Sequence, residues 1–130
     1  MGVQQHLAAR DPNNADWQRD LSVSYDRIGD VRVAQGDRAG ALDAYEQGRA
    51  VRGKLAARDP NNAEWQRDLI VSNVKLGEVA EDASEAEGHY QTALNIVVAL
   101  RDAGRLAPVD AWLVEGLEAQ LERVSAQAGR

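Results

Sequence analysis

The sequence has no cysteine and no phenylalanine, and only two histidines and three prolines in 130 residues. Without cysteine there can be no disulfide, thiolate nucleophile or cysteine-based zinc site. His6 and His89 are far apart, and neither has a ligand-type partner three or four residues on. Both are read as solvated side chains, and neither a metal nor a cofactor is expected. The Gly-x-Ser-x-Gly elbow, the phosphate loop and the dinucleotide fingerprint are all missing, so no catalytic residues are assigned and an enzyme is not expected. The longest apolar run is Ile96-Val97-Val98-Ala99-Leu100, far short of the ~20 residues that span a bilayer.

Basic excess is missing too. Residues 1–60 balance nine Lys/Arg against nine Asp/Glu, while residues 61–130 carry six against twelve, so the formal charge of −6 arises in the second half. The acids concentrate at Glu78, Glu81, Asp82, Glu85 and Glu87. With no basic face and no basic amphipathic helix, neither a nucleic acid nor a membrane surface is an expected partner. No charged-then-apolar leader opens the sequence, and His6 stands where a myristoylation pattern needs Ser or Thr. The expectation is a cytoplasmic protein.

What is present is a repeat. Leu7-Ala8-Ala9-Arg10-Asp11-Pro12-Asn13-Asn14-Ala15-Asp16-Trp17-Gln18-Arg19-Asp20-Leu21 returns 48 residues later as Leu55 to Leu69, with only Asp16 changed, to Glu64. Extended to Val31 and Val79, 18 of 25 positions are identical. Self-similarity at a period of this size marks a repeat architecture. Beyond that stretch Tyr45, Val51 and Leu55 match Tyr90, Ile96 and Leu100 at an offset of 45, which predicts a three-residue loss in the middle turn of the second copy. Trp112 follows Ala107-Pro108-Val109-Asp110, a worn third entry.

Each copy reads as two helices. Asn13 and Asn61 are expected N-caps, with Asp16 and Glu64 at capping-box spacing and suited to the helix dipole. Trp17, Leu21, Ser24/Tyr25, Ile28 and Val31 recur at helical period. Gly36-Asp37 breaks this helix, a second runs from about Arg38 to Arg58, and Asp59-Pro60 ends it. The second copy predicts helices near 62–81 and 85–103, and a last helix spans about Val109 to Gln127.

Tyr25-x-x-Ile28-Gly29-x-x-Arg32, followed by Gly36-Asp37, Ala41, Tyr45 and Gly48, resembles the tetratricopeptide signature. Leu76-Gly77, Tyr90 and Ala93 carry it in the second copy, where the turn Gly-Asp and the first aromatic (Asn73) are lost. The family repeat is 34 residues, so a 48-residue repeat adds about four helical turns at 3.6 residues each. The resemblance implies an all-α, right-handed α-α superhelix of antiparallel helix pairs, with about five helices and an N-terminal helical stub. The expected organisation is one array over 1–130: 1–10 the end of a truncated repeat, 13–59 repeat 1, 61–104 repeat 2, and 108–127 a partial repeat or capping helix. On this register the chain opens and closes partway through repeats, and further repeats upstream are expected.

Several side chains allow both a structural and a functional reading. Trp17, Trp65 and Trp112 could form a stacking ladder, but recurrence once per repeat at a helix entry favours packing anchors. Asp16/Asp20 and Glu64/Asp68 have an i, i+4 spacing open to acid–base or metal use; with Arg19 and Arg67 adjacent they read better as first-turn charges. The resemblance implies that the first helix of each pair lines a concave groove. Helical projection then gives Arg19, Val23, Asp26 and Asp30 from copy one, and Arg67, Val71, Val74 and Glu78 from copy two. Members of the family that clamp a peptide carboxylate use Lys and Asn there; Asp26 and Asp30 depart from this and point to a helical or extended peptide with basic residues. The leading expectation is a protein-interaction scaffold in a larger signalling or assembly protein. The alternative is self-assembly, as a homodimer or by helix exchange, through the coiled-coil-like stripe Leu113, Leu117, Leu121 and Val124. An enzyme or small-ligand sensor is the remote third.

Overall fold

The structure is a computed structural model that describes residues 14–128. Among the described residues every regular element is helical: α1 (Ala15–Ala34), α2 (Arg38–Arg58), α3 (Ala63–Val79), α4 (Ala83–Asp102), a 3-10 turn (Pro108–Asp110) and α5 (Leu113–Ala128). They form two compact units that divide in sequence between Pro60 and Asn61. In the first, α2 packs against α1; in the second, α4 packs against both α3 and α5. No helix among the described residues is long and apolar enough to cross a membrane.

The caps explain the helix starts and correct the sequence reading by one residue. Asn14, not Asn13, caps α1: its side chain accepts the Trp17 N–H at 3.1 Å. Asn62, not Asn61, caps α3, accepting from the Trp65 N–H at 3.0 Å. Asn13 itself lies outside the described residues. The bonded N–H in each case is the third of the helix and belongs to Trp, so Asp16 and Glu64 serve the dipole rather than a capping box.

Helix ends place the length difference between the copies. The link Gln35–Asp37 is three residues, and so is Ala80–Asp82. The second copy's three-residue loss therefore falls at the end of α3, which has 17 residues against 20 in α1, and not in the turn. Arg32, Val33 and Ala34 have no counterpart. Asp37 and Asp82 both cap the following helix, accepting from Gly40 N–H at 2.9 Å and Glu85 N–H at 2.8 Å. Part of the acidic run is thereby structural, and α4 begins at Ala83 rather than near 85. Gly36 closes α1 at φ +78°, with Gly36 N–H donating to Val33 O and Asp37 N–H to Arg32 O. Gly104 closes α4 in the same way at φ +70°. A left-handed residue just past a helix end satisfies the last carbonyls, and glycine takes that conformation without a Cβ penalty.

One contact recurs in both hairpins. A Cβ built on Gly29 would lie 2.3 Å from the Tyr45 ring, and one on Gly77 would lie 2.7 Å from the Tyr90 ring. The Leu/Ile-Gly pair of the sequence is thus a notch into which the second helix lays its tyrosine. Around the second notch a larger apolar core closes, made of Ile70, Ala86, Tyr90, Ala93, Val97 and Leu100 with Leu117 and Leu121 of α5.

Candidate functional site

Positions 67, 71, 74 and 78 recur every three or four residues, so α3 presents Arg67, Val71, Val74 and Glu78 on one face. All four line a cleft of about 280 Å³ within the second unit, together with Ile70, Lys75, Asp110, Trp112 and Leu113. The 3-10 turn and the start of α5 supply its other wall. The lining combines aliphatic side chains with the charged groups Arg67, Lys75, Glu78 and Asp110, the mix found in sites that take an apolar group and orient it.

An ion pair fixes one end. Arg67 donates through Nε to Asp110 Oδ2 at 2.7 Å and through Nη2 to Asp110 Oδ1 at 3.1 Å. The two-pronged geometry pins the 3-10 turn to α3. Asp110 is only 4% exposed, and a carboxylate at that depth needs such a partner. The hydrogen bond to Asp110 holds the Arg67 guanidinium above its ordinary pKa; burial opposes this, and the charges of Asp110 and Asp68 add to it. A second cavity of about 180 Å³, lined by Ala63, Leu100, Leu106 and Ala107 among others, shares Arg67, Ile70 and Asp110 with the first. Nearby, Arg105 Nη1 donates to the Asn61 carbonyl.

Trp112 is the exposed member. It is 66% exposed, and Val109 75%, whereas Trp17 and Trp65 are half-buried. The three tryptophans of the repeat therefore differ in environment, and only Trp112 lines the cleft. Its ring lies over Gly116, where a Cβ would come within 3.2 Å of it.

The first-copy quartet is placed differently. Asp26 is 7% exposed, turned toward α2 and bonded to Arg52 Nη1 at 2.6 Å. The projection put it on a groove because its period matches Val74; the buried arginine 26 residues away was not visible to a helical projection. Asp30 is exposed and accepts the Tyr45 hydroxyl at 2.5 Å. Arg19 and Val23 are half-buried.

The α5 stripe faces α4. Leu117 and Leu121 are buried in the second unit's core, and Leu113 and Val124 pack against it. Leu117 and Leu121 are thus covered within the chain, while Leu113 and Val124 are half-buried. Of the other candidates, Asp16, Asp20 and Glu64 are exposed and Asp68 is buried, and His6 lies outside the described residues. Among the described residues no group of three or more His, Asp or Glu side chains is arranged to hold a metal ion. No family model, curated protein or solved structure matches the chain.

Proposed function

We propose that this protein is a cytoplasmic interaction module of the tetratricopeptide kind, stacked as an α-α superhelix, and that its second unit holds a peptide segment of a partner protein in the α3–α5 cleft. The observation carrying this reading is the convergence of Arg67, Val71, Val74 and Glu78 with the exposed ring of Trp112 on one concavity. An exposed tryptophan beside aliphatic side chains supplies the aromatic anchor on which peptide interfaces concentrate their binding energy. Glu78, next to the acidic stretch, favours a segment with a basic residue beside its apolar anchor.

Selection of displayed random peptides against the full chain tests the proposal. Enriched sequences should pair an apolar residue with Lys or Arg. Trp112→Ala or Val71→Lys should weaken the selected peptides by about tenfold or more, the loss expected of a central contact. Glu78→Lys should remove the preference for basic flanks. Binders insensitive to all three changes would place the partner's site elsewhere. Asp26 is unsuited to such a charge test, since its replacement would strand Arg52.

A further inference from the structure

The two hairpins are close enough in sequence to trade helices. With 18 of 25 positions shared between α1 and α3 and the regions before them, α1 could pack on α4 and α3 on α2, within one chain or between two. The Gly29–Tyr45 and Gly77–Tyr90 notches would accept either exchange, because they are the same contact.

One layer would not accept it. In the first hairpin Arg52 Nε donates to Ser22 Oγ at 3.0 Å and Arg52 Nη1 to Asp26 Oδ2 at 2.6 Å, with Ser22 0%, Asp26 7% and Arg52 5% exposed. The equivalent residues of the second hairpin, 48 on from Ser22 and Asp26 and 45 on from Arg52, are Ile70, Val74 and Val97. These three belong to, or pack against, the apolar core of the second unit. The polar set and the apolar set occupy the same layer of the same motif.

We propose that this layer is the device by which each first helix selects its own second helix. Matched pairing satisfies the charges in one hairpin and has none in the other. Exchange does damage twice: α1 on α4 sets the Asp26 carboxylate against Val97, and α3 on α2 sets the Arg52 guanidinium against Ile70 and Val74. A buried charge without its partner is far worse than either a complete pair or a wholly apolar layer. By that asymmetry each stranded charge disfavours exchange by roughly a hundredfold or more.

The absence of cysteine makes a direct test available. A Cβ at position 48 lies 3.4 Å from the Tyr25 Cβ, close to the separation a disulfide spans. Ala93 is the counterpart of Gly48 on α4. The full chain carrying Tyr25→Cys, Gly48→Cys and Ala93→Cys is refolded from denaturant in a glutathione buffer, and the 25–48 and 25–93 bridges are counted by mass spectrometry. The expected excess of 25–48 is about a hundredfold or more. It should fall at least about tenfold when the layer is made uniformly apolar by Ser22→Ile, Asp26→Val and Arg52→Val, or uniformly polar by Ile70→Ser, Val74→Asp and Val97→Arg. Combining all six changes, which exchanges the two sets, should restore it. A bridge ratio unchanged in either uniform background that retains its helical circular dichroism overturns the proposal. So does a six-fold variant that retains its helicity but keeps the low ratio.

Discussion

The first hairpin and the second solve the same packing problem with different chemistry. Both lay a tyrosine into a glycine notch, start their first helix on an asparagine before Trp, and start their second on an aspartate. Between these shared points the first is held by a buried ion pair and the second by aliphatic side chains. The second also gains α5, which seals α4 with Leu117 and Leu121. Identical scaffolding with a different filling separates what the repeat must conserve in order to turn the chain from what it can vary.

The sharpest way to break this comparison is to halve the ion pair. Asp26→Val leaves the buried Arg52 without its carboxylate and should cost about 3–5 kcal/mol, whereas Ser22→Ile, Asp26→Val and Arg52→Val together, which copy the second hairpin's layer, should be neutral or stabilising by about 1–4 kcal/mol. Urea unfolding followed by circular dichroism distinguishes the two. If the single and triple variants lose the same stability, the layers are not interchangeable.

The shared notch gives a smaller and graded effect. Gly29→Ala and Gly77→Ala both force a tyrosine to move, at about 1–3 kcal/mol for overpacking. Gly29→Ala should cost more, because its Cβ would come closer to the ring and because the Tyr45 hydroxyl donates to the Asp30 carboxylate at 2.5 Å, a shorter bond than the 3.2 Å one that Tyr90 accepts from Gln120. Thermal unfolding of both variants should rank them in that order; the reverse order would mean that the second hairpin is the more rigid.

The smallest effect belongs to the caps. Asn14→Ala and Asn62→Ala each remove one bond to a Trp N–H and should each cost about 1 kcal/mol. Asn13→Ala and Asn61→Ala should cost clearly less, which native-state hydrogen exchange at Trp17 and Trp65 can resolve.

Much of this was legible in advance, because it is written in local periods. Among the described residues, four of the five α-helices were readable within two residues at each end, from apolar spacing and from Gly-Asp and Asp-Pro breaks. Arg67, Val71, Val74 and Glu78 were found together because one helix suffices to align them. What was missed comes from elsewhere in the chain. Asp110 joins the cleft through a bond to a residue 43 positions away, and Trp112 stands out only by its exposure, which its repeat position does not reveal. α5 was expected to begin at Val109, but Pro108 opens a separate 3-10 turn and the helix proper waits until Leu113. The ion pair did leave a trace: Ser22, Asp26 and Arg52 all turn apolar together in the second copy, and concerted change at three facing positions is the mark of a shared layer.

The end of α1 has a further consequence. Removing three residues from the middle of a helix would rotate everything beyond them by about 300° at 3.6 residues per turn, and every interior side chain would face the wrong way. Here the missing three lie beyond the last notch residue, where α1 continues past Val31 and α3 stops at Val79. That end is therefore a natural splice point. Segments can be added or trimmed there, and a label or a foreign loop inserted, while the phase of the helix that carries the buried layer and the notch stays as it is.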